Sequence, residues 1–333
     1  MSKRILLLVF LISACALALA QYSAPAGQRP AQTAPPANSA APAPQSSPAS
    51  STQPTQAGAA QNAEPGGPRK VQAKSKPEFD AFKAADATVT SDPDLAKGEA
   101  AVQDFESKFP QSELPSILYD KLMKRYQQAG NAEKILQMGR KEISLDPNSV
   151  PAMLTVATTL AETTHETDLN WNDNYAEVMK DANQALALIN GGQFTAPQFS
   201  PEQMNEVKSM AYAAIGSMEF TKSGDASGGP QEQAKHDAAA EAALRQATSL
   251  NTLNPEPALW LRLAVTLDHE KKYPDAIAAA NRAAQLSANE PNILALAKQE
   301  QTRLQELSGG APKPATNPAP AATPPNGSDQ VPH

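Results

Sequence analysis

The chain has 333 residues, a formal charge of −7, 5% aromatic residues and a single cysteine, Cys15. One cysteine excludes a disulfide within the chain and any zinc site built on several thiolates. Residues 1–20 carry +2, residues 21–76 carry +4 and residues 309–333 are neutral, so −13 falls on residues 77–308. A region that acidic repels phosphate backbones, which argues against a nucleic-acid partner.

The first 20 residues, MSKRILLLVFLISACALALA, combine a basic start with a 16-residue apolar run and end in ALA. This pattern is typical of a cleaved export signal in a bacterial protein, and the run is short for the alternative, a membrane anchor. Residues 12–15, ISAC, also resemble the lipobox of lipoproteins, in which Cys15 would be lipidated, although the residues after it stay apolar. We expect an exported protein, periplasmic or secreted, that contacts a membrane only through an uncleaved or lipidated N-terminus, such as outer-membrane attachment at Cys15.

Residues 21–76 and 309–333 hold 17 of the 30 prolines and few large apolar side chains. Such segments bury too little apolar surface to offset the entropy of ordering, so both are predicted to be a disordered linker and a disordered tail. The folded part is then residues 77–308, a size that suits one elongated domain. Four basic residues gather near the end of the linker, at positions 69, 70, 74 and 76, where they could contact anionic lipid or glycan.

The middle of the chain is predicted to be helical, because no segment shows the alternation of a strand. Ser200-Pro201-Glu202-Gln203 is a capping box, and Asn254-Pro255-Glu256 predicts another helix start. Gly130 is predicted to form the turn within the helix pair 116–148. In the pair 150–188, an insertion before Asn174 lengthens the corresponding turn. The four to five predicted helix pairs fall within residues 77–110, 116–148, 150–188, 201–251 and 257–286, followed by a closing helix over residues 292–307.

Sequence motifs for chemistry are sparse. Residues 168–174, DLNWNDN, begin like a calcium loop, but the sixth position is Asp173 instead of glycine and the twelfth is Met179 instead of glutamate. We therefore predict a polar turn there, with Trp171 packed back onto a helix. The four histidines are isolated from one another in the sequence, and no phosphate-binding or nucleophile motif occurs. The prediction is no enzymatic activity, no cofactor and no metal site.

The last pair of segments shows how the helices meet. PALWLRLAVTLDHE (257–270) and YPDAIAAANRAAQL (273–286) are joined by only two residues, so their helices must pack antiparallel. Six of the fourteen residues in the second segment are alanine. Such a face buries little area, and it favours folding only where another backbone comes unusually close.

This pair resembles the tetratricopeptide repeat (TPR), a 34-residue helix-turn-helix unit. Counted from Pro257, the family prefers an aromatic residue at position 4, leucine at 7, a small residue at 8, an aromatic at 17 and alanine at 20 and 27. The matching residues are Trp260, Leu263, Ala264, Tyr273, Ala276 and Ala283. The resemblance implies an all-α fold, an α-solenoid of TPR-like antiparallel helix pairs with disordered terminal segments. The alternative is a plain helix bundle.

Stacked pairs of this kind form a superhelix whose concave face is lined by the first helix of each pair. The positions predicted to point outward from that face are Asp120, Lys124, Leu154, Thr158, Leu261 and Val265. Alternatively, Leu261 and Val265 pack against the closing helix. The resemblance implies a non-enzymatic protein–protein interaction scaffold of the cell envelope that binds a partner protein or peptide on this face. The alternative is a structural protein associated with the cell wall or a glycan, which binds through the basic linker and uses the repeats as a spacer.

Overall fold

The computed structural model describes residues 71–309, with the exception of residues 195 and 197. The predicted export signal, Cys15, most of the proline-rich linker and almost all of the tail lie outside the described residues. Within them the chain forms eleven α-helices and one short 3₁₀ turn, and no strand. The prediction of an all-α fold is confirmed.

The helix bounds follow the turn chemistry closely. The helices are α1 (Lys76–Ser91), α2 (Leu95–Lys108), α3 (Pro115–Gln128), α4 (Ala132–Leu145), α5 (Val150–Thr163), α6 (Trp171–Asn190), α7 (Pro201–Ser223), α8 (Gly229–Leu250), α9 (Pro257–His269), α10 (Tyr273–Leu286) and α11 (Pro291–Leu307). Most of them carry a proline at their first or second residue, which suits the first turn because an amide hydrogen there has no partner within the helix.

The described chain divides into two compact units, residues 71–214 and 215–309. In the first unit each helix from α1 to α6 packs on its neighbour in sequence, and the core includes Phe105, Leu118 and Leu122. In the second unit α8, α9, α10 and α11 also pack in order, and α11 returns to contact α9. This sequential packing of helix pairs is the arrangement of an α-solenoid.

Both predicted helix starts lie close to the start of a helix. The capping box before α7 is confirmed, because the Ser200 amide donates to Gln203 Oε1 at 2.8 Å and the Gln203 amide donates to Ser200 Oγ at 3.2 Å. The start marked by Asn254-Pro255-Glu256 falls at the end of that tripeptide, where the predicted pair 257–286 begins. Helix α9 begins at Pro257 with Glu256 as N-cap, since proline at the first helical position sets the start two residues later.

In the third predicted pair, residues 150–188, the second helix begins earlier than predicted. Helix α6 starts at Trp171 instead of Asn174, so the inserted turn is confined to residues 164–170. Trp171 is buried, and its ring centroid lies 5.9 Å from that of Tyr175. The predicted packing of this tryptophan is therefore correct, although it belongs to the helix rather than to the turn.

The alanine-rich helix α10 lies between two partners. Ala276, Ala279, Ala280 and Ala283 are buried, and α10 packs against both α9 and α11. On the α11 side, Gln301 Nε2 donates to the Ala280 carbonyl at 3.3 Å. Small side chains on both sides of one helix allow two neighbouring backbones to come close, which explains why this helix carries so few large residues.

Gly139 marks the closest approach in the first unit. A Cβ atom added there would lie 2.5 Å from Val156 Cγ2 and 3.1 Å from Met123 Sδ, so α3, α4 and α5 meet at this point without room for a methyl group. Val156 is fully buried and its branched side chain has little rotameric freedom. The contact therefore requires glycine.

We expect Gly139→Ala to lower the free energy of unfolding of the first unit by roughly 1–2 kcal/mol. Overpacking costs about 1–3 kcal/mol, and the better helix propensity of alanine offsets part of this. Gly98→Ala is the matched control, because its Cβ would approach one atom closely, the side-chain end Leu122 Cδ2 at 3.0 Å, and would meet Val89 at ordinary contact distances of 3.6 and 3.8 Å. Urea denaturation of both variants checks the prediction, and equal effects would contradict it.

Candidate interaction surfaces

Two of the six predicted groove residues are accessible on the same face of α3. Asp120 and Lys124 lie one turn apart, and Lys124 Nζ is 2.7 Å from Asp120 Oδ2. Lys124 is exposed and Asp120 is half-buried. Because the pair is open to solvent, its contribution to stability is small and its charges remain available to a partner.

Three other predicted groove residues are not accessible. Leu154 and Leu261 are each 2% exposed, and Thr158 is buried with its hydroxyl donating to the Leu154 carbonyl at 2.7 Å. The prediction that these three side chains point outward is therefore wrong. Helix α5 is buried on almost all sides, and α9 packs against α8, α10 and α11, so a position that faces outward in an isolated repeat is covered here.

The last predicted groove residue, Val265, and the six predicted repeat positions are all buried or half-buried. Val265 is half-buried on α9, and α9 as a whole packs on the closing helix α11. Four of the repeat positions, Leu263, Ala264, Ala276 and Ala283, are buried. The two aromatic positions, Trp260 and Tyr273, are half-buried.

A buried carboxyl group on α4 lies near the Asp120–Lys124 pair. Glu142 is 5% exposed, Ser149 Oγ donates to its Oε1 at 2.5 Å, and its Oε2 has no hydrogen-bond partner among the described residues. Burial raises the pKa of Glu142 to about 8, and Asp120 raises it further, whereas Ser149 and Lys124 oppose the shift. At neutral pH this carboxyl group is therefore mostly protonated.

An apolar pocket of about 510 Å³ opens at the start of the first unit. We name it the end pocket. Its apolar lining comes from α1, from the start of α3 and from the segment before α1: Val71, Ala73, Phe79, Phe82, Leu114 and Ile117. Phe82 also packs edge-to-face on the core residue Phe105, with ring centroids 6.2 Å apart. The floor of the end pocket is therefore continuous with the core, whereas Phe79 at its mouth is 49% exposed.

The sequence analysis missed the end pocket. Its signal was present as Phe79 and Phe82, three residues apart in a helix that follows the basic end of the linker. Two aromatic residues at this spacing are usually a core face, so the pattern alone does not distinguish a core position from a pocket. Whether such residues lie in the core or line a pocket depends on which other parts of the chain cover them.

The inserted turn, residues 164–170, forms a second distinct surface, which we name the acidic loop. Two hydrogen bonds hold its conformation. Asn174 Nδ2 on α6 donates to Thr164 Oγ1 at 3.0 Å, and within the loop the His165 amide donates to Asp168 Oδ2 at 2.8 Å. Leu169 is fully exposed in this loop. An ordered loop thus presents one large apolar side chain to solvent.

The part of the chain that the structure describes contains neither a candidate metal site nor a helix that could span a membrane. No group of three or more histidine, cysteine, aspartate or glutamate side chains there is placed to hold a metal ion. Among the same residues, none of the helices has the length and apolar character needed to cross a bilayer.

No protein-family model matches the chain, and no curated protein matches it.

Proposed function

We propose that this protein is an exported, non-enzymatic scaffold of the bacterial cell envelope, whose TPR-like helix pairs bind a partner protein or peptide. The N-terminal pattern of a basic start, an apolar run and a small-residue site supports export. Attachment to a membrane through Cys15 is the alternative form of the same proposal.

The observation that carries the proposal is the stacking of helix pairs within each unit. A solenoid places few demands on its outer side chains, so their composition is free to serve recognition. Here α3 presents Asp120 and Lys124 at positions that resemble the binding face of a TPR domain, and both remain accessible. The buried Leu154, Thr158 and Leu261 are not part of this proposed face.

A photo-crosslinking amino acid placed at Lys124 in the full chain tests the proposal in intact cells. We expect a discrete crosslinked product of defined mass from position 124 and none from Lys141, an exposed lysine on the second helix of the same pair. The charge reversals Lys124→Glu and Asp120→Lys are each expected to reduce capture of the crosslinked partner about tenfold or more. Unchanged capture by both reversals, or equal products from both positions, would contradict a binding face on α3.

The second candidate function is association with the cell wall or a glycan through the basic end of the linker. The observation that favours it is the cluster Arg69, Lys70, Lys74 and Lys76 in a chain that is otherwise acidic. Replacing these four residues with glutamine in the full chain separates the two candidates. Loss of sedimentation with cell-wall material would select this function, whereas retained sedimentation would reject it.

A further inference from the structure

The end pocket combines an apolar interior with a basic rim. Lys76 lines it, and Lys83 Nζ lies 5.7 Å from the centroid of the Phe79 ring. Lys74 lies between the lining residues Ala73 and Ser75 in sequence, and its Nζ donates to the Gln111 carbonyl. Residues 69–83 contain five basic and two acidic residues in a chain of net charge −7.

The two acidic residues of this stretch neutralise the rim only in part. Glu78 is buried, and its Oε2 accepts the Lys74 amide at 2.5 Å. Asp80 is paired with Lys76 at 2.5 Å. The hydrogen bond with Ser112 and the nearby Lys74 lower the pKa of Glu78, so its carboxylate is charged and balances Lys74. Lys83 therefore leaves the rim with a net positive charge, so the chemistry it fits is an apolar side chain flanked by carboxylates.

The acidic loop of the same chain has that chemistry. Leu169 is fully exposed, and Glu166, Asp168 and Asp173 surround it in sequence with exposed or half-exposed carboxylates. Because the loop is held by Thr164, it is already ordered before any contact forms. A preformed loop loses less entropy on binding than a flexible segment does.

We propose that the end pocket of one chain binds the acidic loop of a second copy, with Leu169 inserted beside Phe79 and the loop carboxylates against the lysine rim. The contact is heterologous, because two different surfaces of the chain meet, so a pair of chains retains one free pocket on one chain and one free loop on the other. It links copies of the scaffold in rows or rings. This proposal concerns self-association and does not depend on the binding face of α3.

The terminal segments of the same chain fit the end pocket poorly. Between residues 21 and 70 the only large apolar side chain is Tyr22 and the only acidic residue is Glu64, more than 40 positions away. Residues 310–333 offer one valine and one aspartate. The acidic loop is thus the better occupant within this sequence.

Sedimentation velocity of the full chain tests the proposal. A contact of one leucine and a few ion pairs is small and transient, with a dissociation constant on the order of 0.1–1 mM. We expect the sedimentation coefficient to rise between about 20 and about 500 µM protein. We expect the rise to vanish in about 500 mM salt, because the ion pairs are exposed.

Two variants and their mixture make the test specific. Phe79→Asp and Leu169→Asp each replace an exposed side chain, so circular dichroism should confirm an unchanged fold. Each variant alone is expected to stay monomeric, with association weakened at least tenfold. Mixed in equal amounts, they should form complexes of two chains and nothing larger, because each contributes the half that the other lacks.

Three results would overturn the proposal. The first is a wild-type chain that stays monomeric at about 500 µM in low salt. The second is association of either variant by itself, which would place the interface elsewhere. The third is a monomeric chain that instead binds vesicles containing phosphatidylglycerol and loses that binding in Phe79→Asp. That result would assign the end pocket to an anionic membrane surface.

Discussion

Replacing Glu142 with glutamine is expected to raise the free energy of unfolding of residues 71–214 by about 3–5 kcal/mol at pH 8 and by little at pH 4.5. The carboxyl group is buried, its Oε2 has no hydrogen-bond partner among the described residues, and burial raises its pKa to about 8 from an ordinary 4.5. Glutamine keeps the shape and the acceptor for Ser149 but cannot ionise.

The sign of the effect follows from proton binding. Between pH 4.5 and pH 8 the native state holds a proton on Glu142 that the unfolded chain has released. The folded state therefore loses about 1.4 kcal/mol of stability for each pH unit in this window. Stability is greatest below the unfolded pKa and is lost as the pH rises to the folded pKa. The glutamine variant lacks this slope, so the two curves diverge with increasing pH.

The two tryptophans allow the first unit to be followed separately, because Trp171 belongs to it and Trp260 belongs to residues 215–309. Urea unfolding of a Trp260→Phe background, monitored by Trp171 fluorescence at several pH values, measures the difference. Glu133→Gln is the matched control, since Glu133 is exposed on the same helix. A stability difference between this background and its Glu142→Gln variant that does not change with pH would contradict the raised pKa.

The helices could be predicted because their ends depend on local chemistry. Gly130 has a φ of +66°, which glycine adopts without strain, and it forms the turn between α3 and α4 as expected. Likewise α9 and α10 begin at Pro257 and Tyr273, the residues that open the two segments singled out in the sequence. Signals of this kind act over a few residues, so they can be read without the tertiary structure.

The candidate site could be predicted only in part, because exposure depends on distant packing. Asp120 and Leu154 occupy equivalent positions in successive first helices, yet Asp120 is half-buried and Leu154 is buried. The repeat pattern specifies which side of a helix a residue is on, but it does not specify what covers that side. The burial of Glu142 was missed for the same reason, since a single glutamate on a helix usually lies at the surface.

Three successive helices of the second unit are joined by two buried pairs of histidine and carboxylate. His236 Nδ1 on α8 lies 2.5 Å from Glu219 Oε2 on α7, and His269 Nδ1 on α9 lies 3.0 Å from Asp237 Oδ1 on α8. Histidines that are isolated in the sequence are thus each brought beside a carboxylate by the helix packing. Because 236 and 237 are adjacent, α8 supplies a histidine to one neighbour and an aspartate to the other.

The hydrogen bond with Asp237 raises the pKa of His269 above its ordinary 6.5, against the opposing effect of burial. Asp268 raises this pKa further, whereas Arg303 on α11 lowers it. The ring of His269 also stacks on Phe220, with centroids 6.4 Å apart. A raised folded pKa means that this pair stabilises the unit fully below pH 6.5. The contribution is lost as the pH rises through the folded pKa.

Asp237→Asn is therefore expected to destabilise residues 215–309 by about 2–3 kcal/mol at pH 6 and by less at pH 8.5, because the charged form of His269 is lost as the pH rises through its raised pKa. Trp260 fluorescence in a Trp171→Phe background measures the loss. Glu232→Gln is the matched control, because Glu232 is exposed and lies 3.8 Å from His236 Nε2. An equal loss at both pH values would mean that Asp237 contributes packing alone. A loss of stability that becomes smaller as the pH rises would show that mild acid strengthens the contact between α8 and α9. Protonation of Glu142 stabilises the first unit in the same direction.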